Sequence, residues 1–191
     1  MYTVVDIETT GLSRSYHQIT EIAALRMRNG RVVDSFESLV NPGVHIPSFI
    51  TRLTGINNEM VRDAPRIERV LPGFVDFLGK DVFVAHNATF DYGFLEHNAR
   101  RCGRELGNAR LCTRKLAHRL FPDLERKRLV DLCSHLDVAN LRAHRATGDA
   151  LATAHVFSKM LDILQTKGIS QVDEVLKFEK NKVRRVEETG I

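Results

Sequence analysis

The alternation of apolar and polar positions divides the chain into a strand-rich first part and a helix-rich remainder. Val4, Val5 and Ile7 cluster just before a Thr9-Thr10-Gly11 turn, so residues 2–9 read as a strand. Residues 18–28 and 31–40 are two further apolar runs, and the Asn29-Gly30 pair between them suits a tight hairpin. Residues 47–64 read as short helical pieces in a connection. Residues 66–78 place Ile67, Val70, Leu71, Phe74, Val75, Phe77 and Leu78 at the spacing of an amphipathic helix, which Pro72-Gly73 should bend. Residues 81–86 (DVFVAH) read as a short buried strand. Asn87 is suited to cap a following helix that carries Phe90, Phe94 and Leu95. Residues 109–112 read as a last strand, followed by helices near 113–120 and 129–136. A long final helix is expected over residues 144–167, with Ala150, Leu151, Ala154, Phe157, Leu161 and Leu164 along one broad face.

Three strands, then helices and strands in alternation, imply an α/β domain with a mixed sheet and helices packed on it. Residues 1–167 form that domain in this reading. Residues 168–191 are short, charged and less apolar towards their end, and are read as a C-terminal extension of one helix and a frayed tail.

Composition narrows the class only a little. The chain has 191 residues, of which 43% are hydrophobic and 27% charged, the proportions of a globular protein with a real core. A net charge of +4 is compatible with a polyanionic partner without demanding one. Cys102, Cys112 and Cys133 are odd in number and widely spaced, which suggests neither a zinc site nor a disulfide framework. No apolar run is long enough to cross a bilayer, and the opening MYTVVDIETTG lacks the basic start and apolar stretch of a signal peptide. The expectation is a cytoplasmic protein with reduced thiols and no membrane partner.

Three blocks carry the candidate chemistry. Asp6 and Glu8 lie two apart in an apolar strand, so both point to one face, at the carboxyl end where open α/β sheets form their ligand crevice. Two like charges in that setting need something positive to neutralise them. In HNATFD (residues 86–91), Asp91 falls in the first turn of a helix that follows a strand, where an acid also suits the helix dipole. In HRATGDA (residues 144–150), His144 stands at the start of the last helix and Asp149 inside it. The small residues Ala146, Gly148 and Ala150 would let that helix approach the sheet closely. Four converging carboxylates, Asp6, Glu8, Asp91 and Asp149, would make a hard oxygen site suited to Mg²⁺ or Mn²⁺. Two such ions can clamp the attacking and leaving oxygens of a phosphodiester displacement, and a neutral His144 could accept a proton from the attacking water.

These blocks, DIETTGL, HNATFD and HRATGDA, stand in the order and spacing of the DEDDh branch of the DnaQ-like exonuclease superfamily. The chain resembles that branch over about residues 1–165, and in particular the proofreading exonucleases of bacterial replicative polymerases, of epsilon-subunit or PolC type. Residues 41–56 and 64–78 are also similar to that branch. The resemblance implies a ribonuclease H-like fold, a mixed sheet of about five strands flanked by helices. It implies two divalent cations, with Asp6, Glu8 and Asp149 as ligands of the first, Asp6 bridging to the second and Asp91 assisting directly or through water. His144 matches the general base. Backbone and side chains near Thr9, Thr10, Gly11 and Leu12 would hold the terminal nucleotide. For Leu12 two readings stay open: packing against the terminal base, or a turn leucine. His86, Asn87 and Phe90 resemble residues flanking the cleft, although Asn87 could serve only as a helix cap and Phe90 only as packing beneath the site.

Residues 96–145 carry twelve Arg or Lys against six Asp or Glu. Arg100, Arg101, Arg104, Arg110, Arg114, Lys115, Arg119 and the run Arg126, Lys127, Arg128 could form a phosphate-contacting rim, or merely solvated helix faces. The functional expectation is a 3′→5′ exonuclease acting on single-stranded or frayed DNA ends, in proofreading or repair, with a polymerase subunit as a second partner. The alternatives are an RNA 3′-end-trimming enzyme on the same scaffold and a non-catalytic polymerase-docking module.

Overall fold

The computed structural model describes residues 1–139 and 144–181. Five strands form one sheet: β1 (Tyr2–Thr9), β2 (Ile19–Arg28), β3 (Arg31–Leu39), β4 (Val82–Ala85) and β5 (Arg110–Cys112), in the order β3-β2-β1-β4-β5. The first three form an antiparallel meander, and β4 and β5 join β1 in parallel. Asn29 and Gly30, which join β2 to β3, both have positive φ (51° and 73°), the conformation of a type I′ hairpin turn.

Helices cover both sheet faces, and strand parity decides which residue meets which layer. Val5, Ile7, Ile22, Ala24, Phe83 and Ala85 point towards α2 (Ile67–Leu78) and α3 (Ala88–Arg101). Val4, Ala23, Leu25, Met27, Val84 and Leu111 point the other way. That face meets α4 (Thr113–Leu120), α5 (Leu129–His135) and the long α6 (Ala146–Thr166). Ala146, Ala150 and Ala154 are fully buried in this second layer beside Val4 and Ala23, as small residues on a closely packed helix should be. A short helix, α1 (Ser48–Thr54), followed by turns, fills the connection where several helical pieces were expected.

Helix α2 is continuous through Pro72. The carbonyl that proline leaves unpartnered, that of Glu68, belongs to an exposed residue and can be solvated. Asn87 occupies the N-cap of α3, but its side chain makes no capping hydrogen bond.

Beyond Gly168 the chain forms α7 (Val172–Lys180), which is docked on the domain. Val175 is fully buried in the same core as α6. The Arg119 Nε donates to the Glu179 carbonyl at 3.0 Å, and the Cys112 amide to the Glu179 carboxylate at 3.4 Å. The expected frayed end, residues 182–191, lies outside the described residues. Val175→Ala should therefore lower unfolding free energy by about 1.5–3 kcal/mol, from lost burial plus the cavity left behind. Urea denaturation followed by circular dichroism measures this, and an unchanged midpoint would show that α7 contributes nothing to the core.

Candidate active site

The site forms where the parallel part of the sheet ends. Past Val4, β4 no longer pairs with β1, and the amide of Ile7 instead donates to the Asp91 carboxylate at 3.3 Å. Asp91 is thereby drawn from the first turn of α3 to the open side of β1, where it is 5% exposed. Asp6 and Glu8 continue the row of Val4 and so face the layer containing α6. Between Glu8 and Thr9 the β1–β2 register shifts, a bulge at the point where the strand hands over to the turn.

Helix α6 brings the last carboxylate. Carboxylate oxygens of Asp6, Glu8 and Asp149 lie within 4.8 Å of one another. Asp91 stands outside that trio but close enough for its charge to act on Asp6. His144, just ahead of α6, is exposed and has a positive φ of 64°, a backbone strain seen at functional positions. Its amide donates to the Asp149 carboxylate at 2.8 Å, so the backbone of the candidate base and a candidate ligand are tied directly.

Crowding like charges at a partly dry site has a cost that shows in their proton affinities. Burial, then the charges of Asp91, Glu8, Asp149 and Glu21, hold Asp6 well above the usual carboxylate range. Burial, then Asp149, Glu21 and Asp91, push Glu8 up to about 8, with Arg145 opposing. Burial pushes Asp91 up to about 7, against its hydrogen bonds from backbone amides. A group of oxygen donors that repel one another and contain no thiol or imidazole suits a hard divalent cation. Two oxygens each bonded to one Mg²⁺ at about 2.1 Å are at most about 4.2 Å apart, so the trio needs only a small contraction to grip an ion.

The turn residues that the sequence reading expects near a nucleotide are placed differently from one another. The Thr9 hydroxyl donates to the Gly11 carbonyl at 2.6 Å, and the Thr10 hydroxyl accepts from the Gln18 amide at 3.0 Å. Both threonines are buried, and their hydroxyls brace the turn. The His17 ring packs where a Cβ on Gly11 would sit, which explains the glycine. Leu12, by contrast, is 86% exposed. It lines an open depression of about 400 Å³ together with Arg14, Asn87, Phe90 and Phe94. Phe90 stacks obliquely on Phe94, with centroids 4.9 Å apart. His86 is mostly buried, its Nδ1 lies 3.1 Å from the Thr113 hydroxyl, and burial pushes it down to about 4, so its ring is neutral at pH 7.

Several members of the basic stretch have partners within the chain. Lys127 is buried and donates to the Pro122 and Leu124 carbonyls, which removes it from any phosphate rim. Arg128 pairs with Asp131, Arg100 with Glu96, Arg104 with Asp76, and Arg110 lies over the Tyr92 ring. One residue the sequence reading overlooked is Glu21, directly opposite Glu8 in the β1–β2 ladder and 4% exposed. Its carboxylate accepts from Arg145 Nη2 at 2.5 Å and Nε at 3.2 Å, and from the Ala146 amide at 2.8 Å. The signal was available: a lone acid in the apolar run ITEIAAL, on the parity of Ala23 and Leu25.

The raised carboxylates set the pH dependence of stability. A folded-state pKa above the unfolded value means that the native state holds more protons, so stability falls as pH rises. For Glu8 that loss runs from about 4.5 to about 8, and Asp91 contributes up to about 7. In EDTA the thermal midpoint should drop across this window, and Mn²⁺ should restore it by more at pH 8 than at pH 5. A Mn²⁺ effect independent of pH, measured by scanning fluorimetry, would contradict the assignment of these carboxylates as the ion's ligands.

Comparison with known proteins places this arrangement. The Exonuclease (RNase_T) family profile matches residues 3–157. A DNA polymerase III PolC-type protein of Caldanaerobacter subterraneus subsp. tengcongensis is 47% identical over 174 residues, covering 91% of this chain and 12% of that protein. The chain thus spans only about an eighth of the PolC-type relatives it matches. The DNA polymerase III subunit epsilon of Aquifex aeolicus is 36% identical over 183 residues, covering 95% of this chain and 91% of that one. Among solved structures, exonuclease X in complex with 5′ overhanging duplex DNA superposes with a TM-score of 0.74 at 30% identity, over 94% of this chain and 99% of that one. The nuclease domain of 3′hExo, a DEDDh family member bound to rAMP, shares the fold with a TM-score of 0.74 at 20% identity, over 85% of this chain and 92% of that one. With its mixed five-stranded sheet, its flanking helices and this breadth of match, the chain has a ribonuclease H-like fold and belongs to the DnaQ-like exonuclease (RNase_T) family.

Proposed function

We propose that the protein is a metal-dependent 3′→5′ exonuclease that hydrolyses terminal phosphodiesters of DNA and releases nucleoside monophosphates in proofreading or repair. The observation that carries this reading is the meeting of Asp6, Glu8 and Asp149 oxygens within 4.8 Å, with Asp91 beside them. The names of the relatives, polymerase III PolC-type and epsilon, support DNA as the substrate and a polymerase subunit as a second partner. The catalytic unit is residues 1–167, and residues 168–191 form an extension that begins with the docked α7.

In this reading Asp6, Glu8 and Asp149 would hold one divalent cation, Mg²⁺ or Mn²⁺, and Asp6 with Asp91 would hold a second. Bound there, the ions would activate a water and neutralise charge building on the phosphate. His144 would serve as the general base, and its exposed position leaves room for the ring to reach a substrate-bound site. The backbone of the braced turn from Thr9 to Leu12 positions the terminal nucleotide. Leu12 packs against its base, and His86, Asn87 and Phe90 flank the cleft.

A 5′-labelled single-stranded DNA oligomer should shorten one nucleotide at a time from its 3′ end with Mg²⁺ or Mn²⁺, and not at all in EDTA. Asp6→Ala or Asp149→Ala should abolish cleavage while leaving the circular dichroism spectrum intact, and His144→Ala should slow it by about 10²–10⁴-fold. Shortening from the 5′ end, or full activity in either aspartate variant, refutes the mechanism. Faster removal of nucleotides from a matched RNA oligomer would reassign the substrate.

A further inference from the structure

The Glu21–Arg145 pair joins two segments 124 residues apart, and it does so beside the carboxylates. Glu21 is buried and faces the helix layer at the end of β2. Its carboxylate accepts hydrogen bonds at the start of α6, from two guanidinium nitrogens of the N-cap Arg145 and from the backbone amide of Ala146. The side chain on one side of this anchor is His144. Four residues beyond Arg145 is Asp149, whose amide donates to the Arg145 carbonyl at 2.9 Å. The Asp149 carboxylate in turn accepts from the His144 amide. A second contact from the neighbouring strand, the Thr147 hydroxyl to the Glu37 carboxylate at 3.0 Å, grips the same turn more weakly from the surface.

A buried carboxylate opposite Glu8 is a costly choice if packing is its only purpose. Like charges directly across a ladder repel, and Glu21 adds to the crowding already felt by Asp6 and Glu8. An apolar residue would fill the strand position without that cost. What only an anion can do here is hold a guanidinium and an amide at the start of a helix, and so set where that helix begins along β1 and β2.

We propose that Glu21 is a positioning residue, which with Arg145 sets the register of α6 so that Asp149 and His144 meet Asp6 and Glu8. The role rests on the exonuclease reading for its purpose but on metal binding for its test. Without the clamp the first turn of α6 is free to shift, and the trio of oxygens loses the spacing that lets it grip one ion.

The full chain, as wild type, Glu21→Gln, Arg145→Gln and the double variant, is titrated with Mn²⁺ by calorimetry. Thermal midpoints in EDTA and hydrolysis of the mononucleotide ester thymidine 5′-(4-nitrophenyl) phosphate are measured alongside. A positioning role predicts Mn²⁺ binding about 10-fold or more weaker in both single variants, as for other residues that orient ligands, with the double variant no worse than the poorer single. Charge alone predicts opposite signs: losing Glu21 weakens Mn²⁺ binding, and losing the Arg145 cation tightens it. That result overturns the proposal, as does a lowered thermal midpoint with unchanged Mn²⁺ binding. If Glu21→Gln does not fold, Arg145→Gln decides alone, since it retains the Glu21 contact to Ala146. A wild type that binds Mn²⁺ but cleaves nothing would remove the exonuclease reading while leaving the clamp to be judged on binding, and a wild type that binds no Mn²⁺ overturns both.

Discussion

Bringing carboxylates of one sign together at the end of a sheet is the constraint around which this molecule is organised. Asp6, Glu8 and Asp149 stand within reach of a single ion, with Asp91 nearby and Glu21 just behind. In the absence of a cation the repulsion and burial are relieved by protons, which is why the proton affinities of Asp6, Glu8 and Asp91 rise. The core has to supply the free energy that holds them there, and two hydrophobic layers on opposite sheet faces do so.

The supports differ in kind. Asp6 and Glu8 are set by strand parity alone. Asp91 is held by an amide left open where β4 ends. Asp149 depends on where a long helix starts, and the first turns of that helix pack through small residues, Ala146, Ala150 and Ala154. Specific polar contacts act at that point, from His144, Arg145 and Ala146. The turn after β1 is stiffened in another way, by hydroxyls folded back onto its own backbone, so that Leu12 is presented to solvent from a rigid base.

Much of this was legible from local pattern. Strand β1 and helix α4 match their expected bounds, the Asn29-Gly30 turn forms as its residues dictate, and the five strands come in the expected order. These are short-range features, set by side-chain period and backbone preference. The errors lie in where individual side chains turn. Nothing near Lys127 in the chain shows that its ammonium is turned inward onto two carbonyls. Nothing near Asn87 shows that its side chain leaves the helix uncapped.

By itself the sequence determined which residues could do chemistry and which element carries each, because parity and helical period are properties of neighbouring residues. Only the tertiary structure decided their company. It left Asp91 outside the closest trio and set Glu21 against Arg145. Those outcomes depend on the pairing of strands and the docking of α6 across a separation of more than a hundred residues, and no local preference encodes a distance of that kind.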